Sequence, residues 1–244
     1  MKILIKKTYE ELSKEAAEII REAIQKKPNL VLGLATGSTP IGCYQELIRF
    51  HKKELDFSKV VIFNLDEYLG LPADHPQSYN YFMYENLLNY ININRENFHI
   101  PDGMTKNIEK FCQEYEEKIQ KAGGIDLQLL GIGSDGHIGF NEPGTPLDSR
   151  TQLVKLAEST IKDNSRFFEK EEDVPRFAIT MGVQTIFEAK KILLLASGEN
   201  KAEAVAKALE GPITSQITAS ILQKHPDVIV ILDEAAALKL KRRH

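Results

Sequence analysis

Residues 127–144 read LQLLGIGSDGHIGFNEPG, a short apolar run that leads into a glycine-rich loop with three titratable side chains. An apolar run of this length that ends in a turn indicates a buried β-strand, here Leu127–Ile132. Longer amphipathic segments separate it from similar runs, and the helical pattern is clearest at Tyr9–Lys26 and Ile108–Lys121. The other predicted strands are Lys2–Ile5, Leu30–Leu34, Val60–Asn64, Phe98–Ile100, Lys191–Ala196 and Val228–Leu232.

Continuously apolar strands that alternate with helices predict an α/β fold. The expected architecture is a Rossmann-like open sheet, mostly parallel, with helices on both faces. The sequence shows no repeat or linker, so residues 1–244 are predicted to form a single domain. The stretch 151–183 is more polar and less regular, and we expect it to form a lid, or flap, over the active-site edge. Ligands of such sheets bind beyond the carboxyl ends of the strands, so loops after strands are the candidate sites.

Composition excludes several classes of protein. The 244 residues carry a net charge of −4 with both signs interspersed, which leaves no basic surface for nucleic acid. No apolar run reaches the length of a membrane span and no signal peptide is evident, so we expect a cytoplasmic protein. Cys43 and Cys112 lack zinc-site spacing and are predicted to be reduced and buried.

The predicted strand Leu30–Leu34 is followed by ATGSTP at residues 35–40, and then by a helical pattern. A glycine-containing turn that opens a helix offers free backbone N–H groups and a positive dipole to a phosphate. Because Gly-Lys-Ser/Thr is missing here, the turn is not a nucleoside triphosphate loop. An ordinary capped turn fits this stretch equally well when it is taken by itself. The candidate phosphate-binding residues are Thr36, Gly37, Ser38 and Thr39.

Two adjacent acids, Asp66 and Glu67, follow the predicted strand Val60–Asn64. Neighbouring side chains on an extended backbone point in opposite directions, so at most one acid is expected to face a site. A carboxylate there can act as a general base if burial raises its pKa. Taken alone, the pair fits a helix cap or a surface feature better.

Gly131, Gly133 and Gly136 match the spacing of a dinucleotide-binding turn, but we reject that interpretation. The chain runs on into NEPG at residues 141–144, which breaks the helix that such a site needs. Asp135 would also place a negative charge where the pyrophosphate belongs. Instead, we expect the glycines to let the backbone approach a ligand closely.

The same loop brings one imidazole between two carboxyl groups, with His137 between Asp135 and Glu142. Flanking carboxylates can fix the tautomer of an imidazole and raise its basicity, as proton transfer requires. These three side chains could also ligate a metal, but their spacing matches no standard metal motif, so no metal is predicted. Arg166 and Lys201 are candidate phosphate ligands near loop or helix starts, although a solvated surface is the default for each.

Four blocks of sequence, taken in order, resemble the glucosamine-6-phosphate deaminase family, and the resemblance covers essentially the whole chain. It implies an enzyme of amino sugar catabolism that turns glucosamine 6-phosphate, a small-molecule substrate, into fructose 6-phosphate and ammonia without a metal or organic cofactor. The blocks are residues 34–40 (LATGSTP), 64–68 (NLDEY), 133–143 (GSDGHIGFNEP) and 164–168 (NSRFF).

The resemblance also implies roles for the candidate residues. His137, oriented by Asp135 and Glu142, would move the proton that opens the sugar ring. Asp66 would take the C2 proton and return it to C1. The sugar phosphate would be held by Thr36, Gly37, Ser38, Thr39, Arg166 and Lys201.

Two other classes of protein remain as alternatives. The 6-phosphogluconolactonases share the fold and a similar Gly-x-Asp-Gly-His loop. In their pattern small apolar residues leading to Phe-Pro follow the histidine, and arginine follows the earlier acid. This chain has Phe140–Pro143 and Asp66–Tyr68 instead. A sugar-phosphate-sensing regulator would carry a basic recognition helix, which the sequence does not show.

The resemblance generates a prediction about regulation. Longer, hexameric members are activated by N-acetylglucosamine 6-phosphate at a second phosphate site, which uses basic residues just after the segment matching 149–151. Here Gln152 and Val154 stand at those positions, and Lys155 should point to the opposite face. Without anchoring charges the effector cannot distinguish two states, whether the chain is a monomer or a homo-oligomer.

We therefore expect hyperbolic kinetics and no activation. Initial rates measured against substrate, with and without the acetylated sugar phosphate, check this. A sigmoidal curve that the effector makes hyperbolic would contradict it.

Overall fold

The computed structural model describes residues 1–165, 168 and 170–241. The strands are β1 (Lys2–Lys6), β2 (Val31–Leu34), β3 (Val61–Asn64), β4 (Asp66–Tyr68), β5 (Phe98–His99), β6 (Leu127–Leu130), β7 (Gln152–Lys155), β8 (Phe177–Thr180), β9 (Ile192–Ala196) and β10 (Val228–Asp233). The α-helices are α1 (Tyr9–Lys26), α2 (Ile41–His51), α3 (Tyr79–Asn86), α4 (Ile108–Lys121), α5 (Glu158–Ser165), α6 (Val183–Phe187) and α7 (Ala202–Glu210).

The larger sheet has the order β1-β10-β9-β6-β2-β3-β5, and every pair in it is parallel. All seven strands were predicted to within two residues at either end, and the α/β fold with a mostly parallel sheet is confirmed. The strands β9, β6, β2 and β3 are neighbours. Because parallel strands end at the same edge, the loops that follow these four open side by side.

Each face of the larger sheet is covered by helices, as predicted. One core packs α1, α2 and α3 against the sheet, and the other packs α4, α6 and α7 on the opposite face. In α1 the side chains of Leu12, Ala16, Ile20 and Ile24 are buried at the four-residue spacing of one helix face. Full burial of a leucine or isoleucine contributes roughly 1.5–3 kcal/mol, so these apolar faces hold the layers together.

A second, three-stranded sheet with the order β4-β8-β7 is antiparallel, and the sequence did not predict it. Strand β4 has only three residues, and two of them are acids, which strands disfavour. The polar stretch 151–183 is therefore more regular than expected, since it contributes β7, α5 and β8. The side chains of β7 alternate in exposure, and Lys155 points away from Val154, as predicted.

Two further expectations concern membranes and cysteines. Within the described part of the chain, no helix has both the length and the apolar character needed to cross a membrane. Cys43 and Cys112 are free thiols and both are buried, as predicted.

One carboxylate of α4 bonds both the residue before β7 and a residue of α6. Glu116 of α4 accepts hydrogen bonds from the Thr151 amide (2.8 Å) and hydroxyl (2.5 Å), and from the Thr185 hydroxyl (2.6 Å). It also pairs with Arg150. Gly182 packs directly on the backbone carbonyl oxygens of residues 149 and 150.

We predict that Gly182→Ala strongly destabilises the protein. The added Cβ would overlap the carbonyl oxygens of Ser149 and Arg150, which are backbone atoms and cannot move aside cheaply. We expect the free energy of unfolding to fall by about 3 kcal/mol, measured by denaturant titration. Gly131→Ala is the matched control, because its Cβ would meet nothing within 4 Å. Equal stability of the two variants would contradict this packing.

Candidate active site

Asp66 lies two residues beyond β3 and begins β4, where its side chain is 5% exposed. Burial, with a smaller contribution from the neighbouring Glu67 carboxylate, raises the pKa of Asp66 to about 8. Its Oδ2 atom is 3.6 Å from the place that a Cβ on Gly139 would occupy. A carboxyl group with the pKa of a general base therefore faces the glycine-rich loop.

Glu67 points the other way, as predicted for neighbouring side chains on an extended backbone. Its carboxylate accepts hydrogen bonds from the backbone amides of Tyr68, Tyr79 and Asn80, each at 2.8 Å. Two of these amides begin α3, so Glu67 caps that helix. The sequence left a helix cap and a site carboxylate as alternatives for this pair of acids, and Glu67 is the helix cap.

The imidazole of His137 lies between two carboxylates, as predicted. Its Nδ1 atom is 2.7 Å from Asp135 Oδ1 and 3.6 Å from Glu142 Oε2. The angles of these two contacts are not those of hydrogen bonds. Among the described residues, neither Nδ1 of His137 nor Oε2 of Glu142 has a hydrogen-bond partner. Groups that move a proton are often loosely aligned before substrate binds. Burial alone would raise the pKa of Asp135, but its contacts with His137 lower it.

Asp135, His137 and Glu142 could also hold a metal ion. Each offers one ligand atom, and these atoms lie within 4.8 Å of one another. A histidine nitrogen with two carboxylate oxygens is a chemically reasonable ligand set for a divalent cation. Their arrangement therefore suits either proton transfer or metal binding.

Glu142 is anchored by the stretch that was predicted to be irregular. Its Oε1 atom accepts hydrogen bonds from the Thr160 hydroxyl (2.6 Å) and the Ala157 amide (3.3 Å). Both donors lie at the start of α5, where a carboxylate also interacts favourably with the helix dipole. One oxygen of Glu142 is thus fixed, and the other faces His137.

Gly133 makes room for a side chain of the protein itself. A Cβ on Gly133 would lie 2.5 Å from Nδ1 of His137, so the ring packs on the glycine backbone. The sequence predicts that the glycines let a ligand approach the backbone. At Gly133 the group that lies against the backbone is the imidazole of His137. No helix follows the loop before β7 in the described chain, which agrees with the rejection of a dinucleotide site.

The candidate phosphate loop joins β2 to α2. Gly37 has a φ of 95°, and both Gly37 and Ser38 are exposed. The Tyr9 hydroxyl donates to the carbonyl oxygens of Ser38 (3.1 Å) and Thr39 (3.0 Å) and accepts from the Gly42 amide (2.8 Å). These bonds hold the turn at the N-terminus of α2.

The structure describes one of the two candidate cationic residues, Lys201. Lys201 ends a 3₁₀ turn just after β9, so its loop lies beside the loop after β6. Asp233 anchors that loop by accepting hydrogen bonds from the Ser197 hydroxyl (2.5 Å) and the Gly198 amide (3.1 Å). Arg166 lies outside the described residues.

Sequence reasoning missed two residues that border the site. Tyr79 stacks on Phe140 with ring centroids 5.7 Å apart, and its hydroxyl donates to the Tyr68 hydroxyl (3.4 Å). Thr180 pairs with Asp66 across the smaller sheet. Nothing in the sequence around Tyr79 or Thr180 indicated these contacts, and the burial of Phe177–Thr180 does not alternate.

Comparison with known proteins decides the family. The model of the glucosamine-6-phosphate isomerases/6-phosphogluconolactonase family matches residues 5–230. The chain belongs to this family.

Individual relatives share more of the sequence. A glucosamine-6-phosphate deaminase of Thermoanaerobacter pseudethanolicus is 57% identical, covering 97% of this chain and 94% of its own. One from Clostridium perfringens is 56% identical, covering 99% and 100%. A solved structure described as a monomeric glucosamine-6-phosphate deaminase has a TM-score of 0.96 at 48% identity, covering 98% of this chain and 100% of that one. A 6-phosphogluconolactonase from Trypanosoma cruzi, at 24% identity and a TM-score of 0.80, covering 99% and 97%, shares the fold.

We predict that the Asp66 carboxyl titrates near pH 8, because burial disfavours its charged form. Carbon-13 NMR of protein labelled at aspartate carboxyl carbons measures this, with Asp66→Asn to assign the signal. Glu67→Gln removes a neighbouring negative charge and should lower the pKa of Asp66, whereas Glu109→Gln on the surface of α4 should not. A midpoint near pH 4 in the unsubstituted protein would contradict the account.

Proposed function

We propose that this chain is an enzyme that converts glucosamine 6-phosphate and water into fructose 6-phosphate and ammonia. The observation that carries the proposal is a buried carboxyl group of raised pKa, Asp66, facing a loop with His137 between two acids. Relatives at 56–57% identity over nearly the full chain bear the name of this activity. The chemistry needs two proton-transfer groups on one sugar, and this edge of the sheet offers both.

His137 opens the pyranose ring. It transfers a proton from the C1 hydroxyl to the ring oxygen, which breaks the C1–O5 bond and leaves a C1 aldehyde. Asp135 and Glu142 face Nδ1 of the imidazole, and their charges stabilise the protonated ring during the transfer. The anchoring of Glu142 by Thr160 supports a fixed position for this carboxylate.

Asp66 carries out the isomerisation. The aldehyde and the protonated amine both acidify the C2 hydrogen, which the Asp66 carboxylate removes to give an enolamine. The same carboxyl group then delivers a proton to C1, which leaves an imine at C2. Water adds to C2 and the nitrogen departs as ammonia, so no redox step or organic cofactor is needed.

The phosphate is held at the start of α2. The turn of Thr36, Gly37, Ser38 and Thr39, in which Gly37 and Ser38 are exposed, offers backbone amides and hydroxyls, and Lys201 and Arg166 supply positive charge. The stretch 151–183 serves as a lid over this edge. Phe168 packs against Tyr68 with ring centroids 6.1 Å apart, two residues from the base.

The setting of the reaction is part of the proposal. The enzyme works in the cytoplasm, in the catabolism of amino sugars such as N-acetylglucosamine. It acts as a monomer or homo-oligomer, and the monomeric relative at 48% identity supports the smaller assembly.

A direct assay tests the activity. Purified protein is incubated with glucosamine 6-phosphate, and ammonia and fructose 6-phosphate are measured in equal amounts over time. The control substrate is 6-phosphogluconolactone. Hydrolysis of the lactone with no release of ammonia would overturn the proposal.

We predict that Asp66→Asn lowers kcat by ~10²–10⁴-fold, because an amide cannot accept the C2 proton. The substitution keeps the shape of the side chain, so circular dichroism should show an unchanged fold. Asp74→Asn, at an exposed position, is the matched control and should leave kcat unaltered. An Asp66→Asn enzyme with near-normal turnover would remove Asp66 from the mechanism.

A further inference from the structure

Thr180 lies beside the proposed base, on a strand that the sequence did not predict. It is the last residue of β8, is fully buried, and pairs directly with Asp66 of β4. Side chains of directly opposed residues in an antiparallel pair project from the same face. The hydroxyl of Thr180 and the carboxyl of Asp66 therefore face the glycine-rich loop together.

The Thr180 hydroxyl bonds that loop. Its Oγ1 atom accepts a hydrogen bond from the Phe140 amide (3.2 Å) and donates to the Met181 carbonyl oxygen (3.3 Å). A Cβ on Gly139 would lie 2.9 Å from this oxygen and 3.6 Å from Asp66 Oδ2. Gly139, two residues after His137, thus lies close to both side chains, and a residue with a Cβ would crowd the hydroxyl.

The residue after Thr180 ties the same two parts together. The Met181 amide donates to the Leu65 carbonyl oxygen (2.8 Å), next to the proposed base. Its carbonyl oxygen accepts from Nδ2 of Asn141 (2.9 Å), in the loop that carries His137. The end of β8 therefore bridges the segment of Asp66 and the segment of His137.

We propose that Thr180 is a positioning residue. Its hydroxyl holds the loop that carries His137 at a fixed position relative to Asp66. The inference rests on the proposed function, in which both groups act on one sugar. The role proposed for Thr180 is to place the loop, not to exchange a proton with the substrate. Because a misplacement of about 1 Å can cost ~10²-fold in rate, one hydroxyl at this junction matters to turnover.

The test compares Thr180→Val with Thr180→Ser. Valine keeps the volume and removes the hydrogen bonds, so we expect kcat to fall about 10–100-fold while KM changes less than about threefold. Serine keeps the hydroxyl and should retain most of kcat. Substrate deuterated at C2 supplies the second measurement: the isotope effect on kcat should rise in Thr180→Val, because C2 proton transfer becomes more strongly rate-limiting.

Thr185→Val is the matched control. Thr185 is also buried, and its hydroxyl bonds Glu116 rather than the loop. This variant should lose stability and keep both kcat and the isotope effect. If Thr180→Val does not fold, Thr180→Cys, which keeps a weak donor, should give an intermediate kcat and a raised isotope effect.

The outcomes are distinct. The positioning role would be overturned if Thr180→Val kept the kcat and the isotope effect of the unsubstituted protein. It would also be overturned if Thr180→Val and Thr185→Val lost kcat equally with no change in isotope effect. Absence of ammonia release by the unsubstituted protein would instead overturn the proposed function, and the inference with it.

Discussion

The pairing of β4 with β8 is the interaction on which the site depends. Strand β3 of the larger sheet ends at Asn64. Without a second sheet, the residues that follow β3 would lie at an open edge. Strand β8 pairs with Asp66–Tyr68, which begin two residues after Asn64, and all three are buried. Asp66 is buried because of this pairing, and its pKa rises because it is buried. A short antiparallel sheet thus converts an ordinary carboxylate into a group able to exchange protons near neutral pH.

Two adjacent acids share a buried environment that raises the pKa of both, and they differ in the hydrogen bonds that they accept. Glu67 receives three backbone N–H groups, and burial nevertheless raises its pKa to about 7. Among the described residues no backbone N–H group donates to the Asp66 carboxyl, and burial raises its pKa to about 8. The pKa of Asp135 is lowered instead, because its contacts with His137 outweigh the effect of burial. Carboxyl groups whose pKa values are moved apart by their surroundings are typical of sites that divide acid and base roles.

The parallel sheet could be predicted because its strands are buried on both faces and read as continuous apolar runs, while α1 and α4 keep a regular helical period. The smaller sheet could not, since β4 carries two acids and its partner β8 is more than 100 residues away in the sequence. His137, Asp135 and Glu142 were recognised as titratable groups crowded into one loop after a strand, whereas Asp66 received its role only from the resemblance to a family. The division of roles between Asp66 and Glu67, and the contacts of Tyr79 and Thr180, depend on long-range packing that no local pattern records.

The central claim is that one buried carboxyl group, Asp66, serves both C2 and C1 of the sugar from one face. Turnover of glucosamine 6-phosphate in heavy water, followed by proton NMR of the fructose 6-phosphate, tests this most directly. A single base predicts that new hydrogen, whether deuterium from solvent or protium carried over from C2, enters only one of the two stereochemical positions at C1. Deuterium in equal shares at both positions would contradict the account, because it would mean that C1 is protonated away from Asp66.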